Sequence, residues 1–165
     1  MAVRALTRRL TATVLLVLIV LPAFPAAACF GPKLFVGHGA TPREELLFAL
    51  VSLYVQEKTG VESEPVEVDG GAGAAQALAG ERVDLVFSAT PVAGGETVLA
   101  VTGYPLLVSG QRPLNDLQFT TVVPALRKLA ALLTPRDLAD LEARVAAGEK
   151  PLAAARHLCM ERRWL

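Results

Sequence analysis

The sequence is short of the residues on which most enzyme chemistry depends. Its 165 residues contain two Cys, two His, one Trp and two Tyr, and aromatic side chains make up 5% of the chain. Two cysteines cannot form the dense disulfide framework of a small secreted scaffold. No Cys/His cluster has metal-ligand spacing, and His157 and Cys159, two apart on a helical segment, point away from each other, so no metal is assigned. With two histidines and no Gly-x-Ser-x-Gly elbow, no Ser-His-Asp arrangement is supported. The adjacent carboxylates Glu44 and Glu45 fall where a helix should begin, and capping explains them better than acid–base work. The reading is therefore not an enzyme, and no cofactor is called for. An excess of one charge is missing too: 16 Lys and Arg face 16 Asp and Glu. That balance, with 53% hydrophobic and 19% charged residues, excludes a disordered chain and gives no electrostatic reason to bind nucleic acid.

What the chain does have begins at its front. Arg4, Arg8 and Arg9 precede an uncharged apolar run from Leu10 to Leu21, followed by Pro22, Pro25 and the small residues Ala26, Ala27 and Ala28. This is the basic, apolar and small-residue succession of a secretory signal. A membrane anchor needs about 20 apolar residues, and prolines interrupt this run first. Residues 1–28 are read as a signal peptide and 29–165 as one mature domain, placed in the periplasm or another extracytoplasmic space. Without the three N-terminal arginines, 13 basic groups remain against 16 acidic ones, net −3, which does not favour anionic lipid.

Cys29 has two readings. It pairs with Cys159 across 130 positions, a closure that contributes about 4–5 kcal/mol by the chain-entropy model in an oxidising compartment. Alternatively Ala27-Ala28-Cys29 resembles a lipobox, in which lipidated Cys29 anchors the protein to a membrane; Ala26 stands where Leu is preferred. Lipidation would strand Cys159 as a lone thiol outside the cytoplasm, which tips the choice to the disulfide.

The mature chain reads as α/β. Lys33 to Gly37 is a short buried strand and Gly37 to Ala40 a loop; Thr41 as N-cap, Pro42 at the first helical position and Glu44 closing a capping box announce a helix to about Lys58, ended by Gly60. A strand over 65–68, a glycine turn over 69–73, a helix over 74–79 and a strand over 83–88 follow. This β-α-β-α-β succession predicts a central, mostly parallel sheet with helices on its faces. Segments 97–101 and 104–109 are extended, either a hairpin or edge strands, and helices are expected over 121–133, from Pro135 to near Gly148, and over 151–162.

Leu34-Phe-Val-Gly37, the helix end Tyr54-Val-Gln-Glu-Lys-Thr-Gly60 and Ala77-Leu-Ala-Gly-Glu-Arg-Val-Asp-Leu85 together resemble the first lobe of the glycine betaine, choline and osmoprotectant substrate-binding proteins of ATP-binding-cassette importers. Leu126 to Leu132, Leu133-Thr-Pro-Arg-Asp-Leu138 and Ala153-Ala-Ala-Arg-His-Leu158 are similar to the helices that close that lobe. The resemblance implies one lobe of a periplasmic-binding-protein-like fold. Family members are two-lobed clamshells, whereas 36 positions between the third strand and the terminal helices leave no room for a second lobe here. The family cages a quaternary ammonium with aromatic faces; this chain has few, and Thr90 is the residue that looks carried over after the third strand.

The candidate ligand-binding residues are His38, Thr41, Ser88 and Thr90, at strand carboxyl ends where α/β sheets bind ligands, and Tyr104, a candidate for an aromatic wall. His38 and Thr41 otherwise belong to a turn feeding a helix, and Ser88 and Thr90 to a turn before Pro91. Gly71 and Gly73 lack the third glycine of a dinucleotide fingerprint. The expected partners are a small solute, a quaternary amine or amino-acid-like molecule, or an importer permease. A lobe that has lost binding and serves as an envelope interaction module is the alternative, and a homodimer in which each chain supplies the other's missing lobe is the third reading.

Overall fold

Strand β1 (Lys33–His38) buries Leu34 and Val36 on one face and presents Gly37 on the other, where an added Cβ would come within 3.0 Å of Val86. The computed structural model describes residues 31–165, so the 1–28 segment and Cys29 lie outside the described residues. The strand runs one residue past the expected end and takes in His38. Helix α1 (Pro42–Thr59) starts and stops as predicted: the Thr41 hydroxyl accepts the Glu44 amide at 3.2 Å, and Gly60 closes the far end at φ 74°, a left-handed conformation that suits glycine. The reciprocal half of the capping box is not formed. The Glu44 carboxylate accepts instead from the Gly39 amide, which lies just past the end of β1, so Glu44 ties strand to helix.

Strand β2 (Glu62–Glu67) pairs in parallel with β1 along its whole length. Helix α2 (Ala72–Ala79) begins two residues earlier than expected, and β3 (Leu85–Ser88) two residues later. The later start follows from Asp84, whose carboxylate accepts the Phe35 amide at 2.8 Å in place of a strand carbonyl. Strands β4 (Glu96–Leu99) and β5 (Leu106–Ser109) complete a five-stranded sheet in the order β2-β1-β3-β5-β4. Strands β1, β2 and β3 are parallel, while β5 runs antiparallel to both β3 and β4. The sheet is therefore mixed. The two readings for this segment both hold: β4 and β5 form an antiparallel pair turned at Gly103 (φ 85°), and β4 is the sheet's edge.

A short helix α3 (Gln111–Asn115) and a 3-10 turn (Leu117–Phe119) follow, neither of them expected from the sequence. Three longer helices end the chain: α4 (Val122–Leu132), α5 (Pro135–Ala146) and α6 (Pro151–Glu161). At the start of α5 the capping box does close, between Thr134 and Asp137.

Alternation along the central strands divides the interior into two layers. Leu34, Val36, Leu85, Phe87 and Leu107 face α1 and the terminal helices, with Leu50, Tyr54, Leu126 and Leu158 in the same core. Val86 and Val108 face the other way, onto Ala74, Ala77 and Leu78 of α2. Helix α1 is wedged between the sheet and α4 and α6, which is why it is apolar on so many sides.

At the strand amino ends, Arg112 of α3 places Nη1 3.0 and 3.1 Å from the two Asp84 oxygens and Nη2 3.1 Å from the Lys33 carbonyl. Its guanidinium lies 4.7 Å from the centre of the buried Phe119 ring. The two unexpected elements therefore exist to bring a cation to a buried carboxylate. Cys159 on α6 is wholly buried, and burial pushes its thiol pKa up to about 11, partly opposed by Lys58. His157 points away, exposed, with Nδ1 2.6 Å from Glu149. Trp164 packs at the helix end as a buried residue.

Candidate functional site

Helices α1 and α2 leave the sheet on opposite faces, so the carboxyl ends of β1 and β3 flank the point where the strand order reverses. In open α/β sheets that point opens into a crevice. The register sets Gly37 opposite Val86 and Ser88 opposite Leu106, so the carboxyl ends of β1 and β3 and the amino end of β5 share one rim. All five residues singled out from the sequence come to this rim: His38 at the end of β1, Thr41 at the start of α1, Ser88 and Thr90 beyond β3, and Tyr104 in the turn into β5.

Their local bonds assign them different work. The His38 ring stacks on Phe48 of α1, centroids 5.4 Å apart and planes inclined by 26°. Its Nδ1 lies 2.8 Å from the Gly39 carbonyl, so Nδ1 carries the proton donated there and Nε2 is left as the ring's acceptor when neutral. Thr41 spends its hydroxyl as the α1 cap. Ser88 is buried and its Oγ accepts the Thr90 amide at 3.3 Å, which makes the pair a turn before Pro91. The Thr90 residue itself is exposed. Tyr104 is half-buried; its hydroxyl donates to Glu142 Oε2 at 3.3 Å, and the Arg43 guanidinium lies 5.0 Å from its ring centre. Burial raises the Tyr104 pKa, reinforced by Glu142 and eased by Arg43.

Two concavities open beside these residues. One, of about 430 Å³, is lined by His38, Gly39, Ala40 and Pro65, with the Glu45 and Glu67 carboxylates at its lip. The other, of about 370 Å³, lies between the start of α1 and the end of α5 and is floored by Pro42, Leu46, Val145 and Ala146. Arg43 Nε donates to Glu142 Oε1 at 2.7 Å across its edge. Among the described residues, no group of three His, Cys, Asp or Glu side chains is placed to hold a metal ion.

The sequence reading missed Arg43, Phe48 and Glu142. Arg43 carried a signal that was available: a cation in the first turn of a helix opposes the macrodipole, so it needs a carboxylate from elsewhere. Phe48 sits among core-spaced residues and nothing in the spacing marked it as the partner of His38. Glu142, 99 positions from Arg43, could be found only from the packing of α5 against α1. Comparison with family models, with curated proteins and with solved structures yields no match.

Proposed function

We propose that this chain is an exported, one-lobed solute-binding-type protein that recognises a small quaternary amine or amino-acid-like solute at the rim of its sheet. One observation carries the reading: the reversal of strand order between β1 and β3 opens onto an uncovered rim where His38, Thr41, Thr90 and Tyr104 gather. The chemistry of that rim suits a cation. Glu45 and Glu67 line one concavity beside the His38 ring, whereas the Tyr104 ring beside the other already carries the chain's own Arg43 guanidinium, so the first concavity is the better place for a cation. A quaternary ammonium has no hydrogen to donate, so carboxylates and aromatic faces are the groups that hold it. The direct turn from β4 to β5 over residues 100–105 agrees with a lobe that stands alone, and the resemblance to osmoprotectant-binding proteins points the same way. Catalysis and a resident cofactor have no place in this reading.

Calorimetric titration of the exported protein with glycine betaine, choline, proline betaine and amino acids tests it. The expected result is saturable binding that His38→Ala and Tyr104→Ala each weaken, with a ligand-dependent rise in melting temperature. No heat and no melting shift across the whole panel would sink the reading. A second reading, docking to an importer permease or service as an envelope interaction module, is favoured by the apolar floor of the α1–α5 groove, a surface that suits a protein partner better than a cation.

A further inference from the structure

We infer that the concavity beside His38 takes a primary ammonium, a cation that still carries N–H groups, in preference to a quaternary one. The inference rests on the solute-binding reading above and narrows the class of ligand. The strand register builds the site. His38 and Glu67 stand opposite one another in the parallel pairing of β1 with β2, so their side chains leave the same face of the sheet one strand spacing apart, about 4.8 Å. Pro65, opposite Val36, lies two residues back on that face and supplies an apolar wall. Glu45 joins them from the first turn of α1.

The two carboxylates are uncompensated. Earlier on β2, Glu64 pairs with Lys33, and Glu62 adds its field to the same cation. In the first turn of α1, Arg43 is held by Glu142 and Glu44 by the Gly39 amide. Glu45 and Glu67 have neither an ion pair nor a hydrogen bond among the described residues, and no Lys or Arg lines the concavity. The His38 Nδ1 is engaged by the Gly39 carbonyl, which leaves Nε2 as an acceptor in the neutral ring. The polar side chains here thus offer an occupant acceptors alone. An ammonium with three N–H groups satisfies such a set. A quaternary ammonium does not, because it is held by aromatic faces and by loss of water. No Phe, Tyr or Trp lines the concavity; its one ring is His38, and Phe48 covers one face of that. Ala40, Glu45, Pro65 and Glu67 are all exposed, so the site stays wet. A primary ammonium keeps water on its open side at little cost, whereas the dehydration that favours a methylated cation is incomplete.

Two matched pairs test the inference by calorimetric titration of the purified protein: ethanolamine against choline, and glycine against glycine betaine, each pair differing only in its N-methyl groups. The unmethylated member should bind at least about 10-fold more tightly, the worth of one hydrogen bond to a charged group. His38→Phe keeps a ring on Phe48 but removes the acceptor, and should bring the two members of each pair within about threefold of one another. Glu67→Gln, at an exposed position, should weaken the unmethylated members about fivefold. Circular dichroism verifies that each variant is folded. Choline that binds as tightly as ethanolamine, or more tightly, overturns the inference and leaves the solute-binding reading standing. A folded His38→Phe variant that keeps the whole preference, or a Glu67→Gln variant with unchanged affinities, does the same. Silence from all four ligands overturns the inference, and silence from the full panel above sinks the reading as well.

Discussion

Replacing Arg112 with Met isolates the buried carboxylate at the base of the sheet. Met retains an apolar contact with Phe119 while removing three hydrogen bonds, two to Asp84 and one to the Lys33 carbonyl. Asp84 is 4% exposed and would keep the Phe35 amide as a donor. Breaking a fully buried pair costs about 3–5 kcal/mol. The Arg112 side chain is 37% exposed, so solvent already screens part of the interaction, and the expected loss is about 2–3 kcal/mol at pH 7. For a domain of this size that corresponds to a fall in melting temperature of about 8–12 °C. Urea unfolding should show a lower midpoint at unchanged slope. The pH dependence gives a second, independent reading. Burial raises the Asp84 carboxyl above its ordinary value, and the Phe35 amide and Arg112 restrain that rise. The folded state therefore binds this proton more tightly than the unfolded chain, so the contribution of Asp84 to stability falls as pH rises from the ordinary carboxylate value through the raised one. Without Arg112 the carboxyl rises further and the fall steepens. The gap between variant and parent should be widest at neutral pH and close as the solution is acidified through that range. A loss below about 0.5 kcal/mol at pH 7, or a gap that widens on acidification, would refute the argument.

Thr134→Ala removes the α5 cap and should cost about 1–2 kcal/mol at pH 7 by thermal melting. Burial alone would raise the Asp137 carboxyl, but the Thr134 hydroxyl and amide together with Arg162 lower it overall. The stability it contributes is present above the ordinary carboxylate value and is lost as pH falls through the lowered one, so the cost of the variant should shrink as the solution is acidified through that range. Cys159, with its thiol raised from 9.0 to about 11, should react with iodoacetamide at pH 8 at least about 100-fold more slowly in the native protein than after unfolding in urea. Rapid native labelling would contradict its burial, and a chain that resists labelling even when unfolded without reductant would identify the Cys29 to Cys159 disulfide.

Local signals were legible in the sequence wherever they were also decisive. Thr41, Pro42 and Gly60 delimit α1 to within a residue because capping chemistry acts over one turn. The alternation of Leu85, Val86 and Phe87 marks a strand buried on both faces. What escaped notice depended on partners far along the chain. The 3-10 turn at Leu117–Phe119 has no strong propensity of its own; Phe119 anchors it in the core and Arg112 ties it to Asp84, 28 positions away. The insertion of β5 between β3 and β4 is a matter of pairing, invisible in the composition of either strand. At the rim, the structure places His38, Thr41, Ser88 and Thr90 on one edge with Tyr104 beside them, and the hydrogen bonds that tie Thr41 to a cap and Ser88 to a turn are too local to read from spacing.

That insertion also constrains the order of assembly. As the chain emerges from its amino end, β1, β2 and β3 can pair as soon as residue 88 appears, but the free edge of β3 must wait for β5, which follows β4. Strand β4 has no neighbour of its own until the turn at Gly103 has closed, so the two strands have to arrive together as a hairpin. During synthesis an apolar strand edge, and the side of α1 that α4 and α6 later cover, would be exposed for the time taken to deliver the last third of the protein. A protein so arranged profits from a chaperone that shields the edge until the hairpin arrives, and truncations after β3 should aggregate rather than fold.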